Sequence, residues 1–179
     1  MNGLLALSRG IDFINDRAAI LAKWAVLASC FISALNAIVR YVFNYSSNSY
    51  LEIQWYLFAV CVMLGAAQVL RVNEHVRVDV LYGMYSGRTQ ARIDLFGLVF
   101  FLVPVMLAMI YYSWPVFIRM YESGEMSGNS GGLIRWPVKL LIPLGFVLLA
   151  LQGVSEMIKR AAALLGNELH LTEYERPVQ

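Results

Sequence analysis

Four long apolar runs separated by short polar segments set the pattern of this chain. The clearest, residues 53–70, contains no charged residue. Glu52 opens it, and a polar cluster of Arg71, Asn73, Glu74, His75, Arg77 and Asp79 closes it. About 20 apolar residues suffice for a helix to cross the hydrocarbon core of a bilayer, so residues 50–70 predict a membrane helix with a firm stop. The same reading predicts spans at 18–43, 93–118 and 136–158. The fold class that follows is an all-α integral membrane protein, with residues 1–179 forming a single four-helix domain with short interfacial helices.

The segments between the runs are short. Residues 44–49 are polar and rich in serine, which makes the first two spans antiparallel neighbours. Leu4, Leu7, Ile11, Ile14 and Ala18 recur at helical spacing, with Arg9, Asp12 and Asp16 largely on the other side, which predicts a helix lying in the interface. Those charges also break the apolar stretch too early for a signal peptide. Residues 71–92 read as a second interfacial helix, Val72, Val76, Val80 and Met84 lying four apart. Pro104 removes a backbone donor inside the third span and predicts a kink there. The glycines between Arg119 and Arg135 predict a mobile or irregular loop. Pro137 suits the first turn of the fourth span, and residues 167–179 read as a disordered tail.

Composition confirms the class. The chain has 179 residues, 59% of them hydrophobic and 15% charged, with a mean hydropathy of +0.61; soluble domains carry about 25% charged residues. Four spans leave no room for a soluble catalytic domain, and a net charge of +2 is too small to suggest nucleic acid. Cys30 and Cys61 lie within apolar runs and read as small buried hydrophobes. His75 and His170 lie outside them, which argues against haem in the bundle.

The distribution of Lys and Arg sets the orientation. Arg9, Arg17, Lys23, Arg71, Arg77, Arg88, Arg92, Lys159, Arg160 and Arg176 gather on one side, against Arg40, Arg119, Arg135 and Lys139 on the other. Both termini are therefore expected in the cytoplasm. Tyr41, Tyr45, Tyr50, Trp55, Tyr111, Tyr112, Trp114, Tyr121 and Trp136 collect at the outer ends as an aromatic belt.

Candidate chemistry is sparse. Glu52 is the most suggestive ionisable group, since acids within spans often serve proton relays; Arg40 and Arg135 lie at its depth, so a structural ion pair, or simple interfacial exposure, is the expectation. Asp94 and Glu156 mark cytoplasmic ends, so the spans show no buried charge cluster and no second acid for a relay. Gln54 and Gln68 read as helix–helix hydrogen-bonders. Ser29, Ser33 and Asn36 share a face of the first span, and Gly65, Ala66 and Ala67 permit close helix approach in the second. His75 and Asp79 lie four apart, too few for a metal site. No nucleotide loop and no nucleophile–base pair is present, which argues against an enzyme and against a bound cofactor.

Asn36, Arg40 and Tyr41 make an Asn–x–x–x–Arg–Tyr pattern at the end of the first span. A Glu-led second span closing in Gly65-Ala66-Ala67 follows, then Arg71, His75, Val76, Val78 and Asp79. Arg135-Trp136-Pro137 opens the fourth span, with Gly145 and Phe146 further on. In this order and spacing, from about residue 12 to 160, the chain resembles the small, DctQ-like membrane subunit of tripartite ATP-independent periplasmic (TRAP) transporters. Many members carry two adjacent acids at the start of the second span, where this chain has Leu51-Glu52-Ile53-Gln54.

The resemblance implies a four-helix subunit in the bacterial inner membrane. Its partners would be membrane lipids, a large membrane subunit holding the sodium and solute sites, and a periplasmic solute-binding protein. The small subunit would brace the scaffold and bind no substrate. The branch it looks most similar to is linked to organic acids or to mannitol and chloroaromatic compounds. A rival reading is a self-contained proton-coupled multidrug exporter using Glu52, although its essential acid should lie mid-membrane in the first span. A quinone-linked redox enzyme fails on the placement of cysteine and histidine.

Overall fold

The computed structural model describes residues 2–45, 47–73, 82 and 84–166. Its elements are α1 (Asn2–Phe43), α2 (Asn48–Arg71), α3 (Gly87–Gly97), a π-helical turn (Leu98–Leu102), α4 (Val103–Ser123) and α5 (Trp136–Leu164). With α3, the π turn and α4 as one span, four helices are long and apolar enough to cross a membrane. The tail after 166, and with it the expectation of disorder there, lies outside the described residues.

The first span is longer than its sequence suggested. Residues 2–17 do not form a separate interfacial helix; they continue into the span as one helix of 42 residues. At 1.5 Å per residue that is about 63 Å, roughly twice the hydrocarbon thickness. One stripe of α1 faces inward. Ser8, Ile11, Asn15, Ala18, Ala22 and Ala25 are buried, whereas Leu4, Leu7 and Ile14 point outward. Small and polar side chains are inside, and large apolar ones such as Trp24 and Phe31 are outside. That arrangement is favourable in lipid, where close packing and hydrogen bonds rather than hydrophobic drive bring helices together.

Helix α5 is the centre of the bundle: α1, α2, α3, the π turn and α4 all pack on it, and α1 and α2 also pack on each other. Its sequence permits this crowding. A Cβ built at Gly145 would stand 2.8 Å from the Met63 backbone oxygen of α2. One at Gly153 would stand 2.6 Å from Leu102 Cδ2. Gly65, the close approach expected from sequence, is looser, its nearest neighbour being Ala22 Cβ at 3.8 Å. Ala18, Ala22, Leu64, Ala67 and Leu148 form the buried core where α1, α2 and α5 meet.

The third span begins at Gly87, earlier than the expected residue 93. Just before Pro104, where a kink is expected, the turn widens into a π-helix, in which the Val103 N–H donates to the Leu98 carbonyl. A proline ring crowds the carbonyl four residues back, and the wider turn relieves that contact. Pro115 is carried inside α4 without interruption. Of the expected interfacial helix at 71–92, residues 74–81 and 83 lie outside the described residues.

Candidate functional site

Polar side chains gather at the two ends of the bundle. At the end where α1 leads into α2, Ser47 caps α2, its hydroxyl accepting from the Ser49 N–H at 3.3 Å. Glu52 follows on the first turns of α2 and is 3% exposed. Across from it, Gly124 ends α4 in the left-handed conformation with φ of 60°. The chain then doubles back on itself: Ser127 N–H donates to the Leu133 carbonyl at 2.9 Å and Arg135 N–H to the Glu125 carbonyl at 3.0 Å, with a single bridge between Met126 and Ile134. The expected irregular loop is therefore a paired one.

Glu52 fastens that loop. The Ser127 hydroxyl donates to Glu52 Oε1, the Asn129 amide donates to the same oxygen at 2.8 Å, and the Leu133 N–H donates to Oε2 at 2.7 Å. Ser49 donates to the Gly131 carbonyl, Asn48 to the Ser130 carbonyl at 3.2 Å, and Tyr56 to the Ile134 carbonyl at 3.0 Å. The expected ion pair is not formed. Arg135 pairs instead with Glu125 at 2.8 Å, and Arg40 is exposed, outside the ion pairs of the described residues. Hydrogen-bond donors from a loop satisfy a carboxylate as a cation would, and they fix direction as well.

At the opposite end, beside the first turns of α1, the sequence reading needs a larger correction, because a buried charged network is present. Asp12 of α1 is its hub. Its Oδ1 accepts from Ser155 at 2.8 Å and from Gln152 at 3.0 Å. Lys159 lies 2.8 Å from Asp12 Oδ2 and 2.8 Å from Glu156. Asn15 donates to Gln152 at 2.7 Å. The Ser8 and Ser155 hydroxyls are 2.7 Å apart; with the Ser155 proton on Asp12, Ser8 is the donor. Arg71 reaches over from α2 to Asp16, to the Asp12 carbonyl at 3.3 Å, and to Asp12 Oδ2 at 3.8 Å. Nearby, Asp94 Oδ2 lies 3.5 Å from Arg160 Nε and accepts from the Tyr82 hydroxyl at 2.9 Å. Burying such charges is costly unless they are mutually satisfied, and here three helices supply the partners. Each polar stripe was visible in the sequence (Ser8, Asp12, Asn15 and Gln152, Ser155, Glu156, Lys159) at spacings of three and four. That the two stripes face each other was not.

The other expected site residues are scattered. Ser29 donates to the Gln54 backbone carbonyl at 3.5 Å, Ser33 is exposed, and Asn36 is half-buried. Gly65 and Ala66 are half-buried, Gly65 against α1. Trp136 stacks edge-on against Tyr121 at 5.5 Å. His75 and Asp79 lie outside the described residues. Gln54 Nε2 and Gln68 Oε1 are enclosed without hydrogen-bond partners, so those atoms do not bridge helices as expected. Cys30 faces outward and Cys61 is half-buried, both free.

Comparison with known proteins agrees with this architecture. The family described as tripartite ATP-independent periplasmic transporters, DctQ component, matches residues 29–163. The C4-dicarboxylate TRAP transporter small permease protein DctQ of Pseudomonas aeruginosa is 28% identical over 131 residues, covering 68% of this chain and 62% of that protein. The chain thus spans less than two thirds of that relative's length.

Proposed function

Because the chain belongs to the family of DctQ components of tripartite ATP-independent periplasmic transporters, we propose that it is the small scaffold subunit of such a transporter. It sits in the bacterial inner membrane with both termini in the cytoplasm. A large membrane subunit carries the sodium and solute sites, and a periplasmic binding protein delivers the solute. The relative named above is a C4-dicarboxylate permease subunit, and an organic acid is the solute class that fits.

What supports a bracing role over a transporting one is how the polar groups are used. Glu52 is engaged by three donors from one loop, and Asp12 by Ser155, Gln152 and Lys159. Between them lies an alanine- and leucine-lined core. An exporter that works through Glu52 needs that carboxylate to exchange protons with both sides, and the core residues between carry no titratable group.

Reconstitution tests the assignment. Vesicles with the large subunit, this chain and the binding protein should accumulate a labelled organic acid down a sodium gradient, and omission of this chain should abolish uptake. Proton-driven drug efflux by this chain alone would overturn it.

A further inference from the structure

Lys23 carries a charge where the rest of the bundle has none. Counted along the sequence it belongs with the basic residues at one end of the first span. Its place in the fold is deeper. Its neighbour Ala22 has its Cβ 3.8 Å from where a Cβ on Gly65 would stand. Gly65 lies six residues before Arg71 and thirteen after Glu52, about 9 Å and about 20 Å along α2 at 1.5 Å per residue. Lys23 is therefore level with the charge-free run 53–70, inside both charged ends of the bundle. It points away from the other helices and is exposed. Its ammonium has no ion-pair or hydrogen-bond partner among the described residues.

We propose that this face of α1 docks on a membrane helix of the large subunit, and that an aspartate or glutamate of that helix pairs with Lys23. The inference rests on the subunit role proposed above and names the surface through which it acts. Charged side chains within a span almost always pair with one another or face protein or water, because hydrocarbon cannot solvate them. A face turned to lipid alone gains nothing from a charge at that depth. The complement of an isolated ammonium is a carboxylate, and such a contact is strengthened where water is scarce. The surface around Lys23 is open to receive a helix. Leu27 and Phe31 are exposed, and the small residues Cys30, Ala34 and Ala37 continue from Lys23 at helical spacing, exposed as well. Small side chains let a second backbone come close, which is what joins helices in lipid.

The test uses the full chain and the large subunit, each purified in mild detergent, with the dissociation constant read by titrating one against the fluorescently labelled other. Lys23→Leu should raise that constant about tenfold, the worth of a charge-assisted contact, while the variant keeps its helical circular dichroism. Lys23→Arg should stay within about threefold of wild type, since the charge is kept. Dicyclohexylcarbodiimide added to membranes that hold both subunits identifies the partner group. The reagent activates a carboxylate, the Lys23 amine displaces it as the urea, and an amide joins the two chains. The joined species should appear in wild type, with Lys23 in the linked peptide, and vanish in Lys23→Arg, whose guanidinium does not react. Wild-type affinity in Lys23→Leu, or no link through Lys23, would mean that its long stem carries the ammonium to the lipid headgroups and would overturn the docking face while leaving the subunit role intact. A wild-type chain that does not bind the large subunit at all would overturn both.

Discussion

Replacing Gly145 with alanine should loosen the junction of α2 and α5, although alanine is the better helix former. The new methyl carbon would stand 2.8 Å from both Met63 Cβ and the Met63 carbonyl oxygen, and 3.1 Å from Met63 Cα. Ordinary contact begins at 3.4 Å, so the helices must separate by roughly 0.6 Å, and two of the atoms in the way are rigid backbone. Overpacking of this kind costs about 1–3 kcal/mol, against a propensity gain of about 1 kcal/mol. Gly65→Ala is the matched control, because its methyl would meet Ala22 at a comfortable 3.8 Å. The propensity gain is common to both, so their difference isolates the steric cost at about 1–3 kcal/mol. Reversible unfolding in mixed micelles of increasing dodecyl sulfate, followed by tryptophan fluorescence, measures it. If the two variants agree within about 0.5 kcal/mol, the size expected of an innocuous change, the close approach at Gly145 is not what sets the helix spacing.

Glu52→Gln keeps the side chain's shape but replaces one acceptor oxygen with a donor, leaving a loop donor without a partner. The Leu133 amide should exchange with deuterium faster and the yield of assembled transporter should fall, while uptake per assembled complex holds; intact assembly with abolished transport would refute the structural role. For orientation, in a background with Cys30 and Cys61 replaced by alanine, cysteine at Asn48 should react with an impermeant thiol reagent added to the periplasmic side and cysteine at Gly87 should not. Labelling of Gly87 in intact cells would invert the topology.

The four spans were legible because hydrophobic length is a one-dimensional property, and helix α2 was placed within two residues at its start and one at its end. What faces what was harder. Along α1 the apolar set Leu4, Leu7, Ile11, Ile14 and Ala18 suggested one face lying in the interface, yet Ile11 and Ala18 are buried in the bundle with Ser8, Asn15 and Ala22 while Leu4, Leu7 and Ile14 stay exposed. Depth correctly put Arg135 near Glu52, but depth alone does not tell a cation from three loop donors. The loop reached Glu52 through pairing of Met126 with Ile134, and nothing in its run of glycines and serines announces such pairing. Asp12 read as a surface charge because Lys159, its partner at 2.8 Å, is remote in sequence.

The uncharged middle of the bundle also makes it electrically quiet. Moving one elementary charge through a membrane potential of 100 mV is worth about 2.3 kcal/mol. Ala18, Ala22, Leu64, Ala67 and Leu148 place no ionisable group inside that core; Lys23, beside Ala22, is exposed on the outside of α1, and Glu52 and the Asp12 network lie toward the two ends. A bundle with this apolar core is expected to keep the same shape in an energised and a de-energised cell, as the scaffold role proposed above requires.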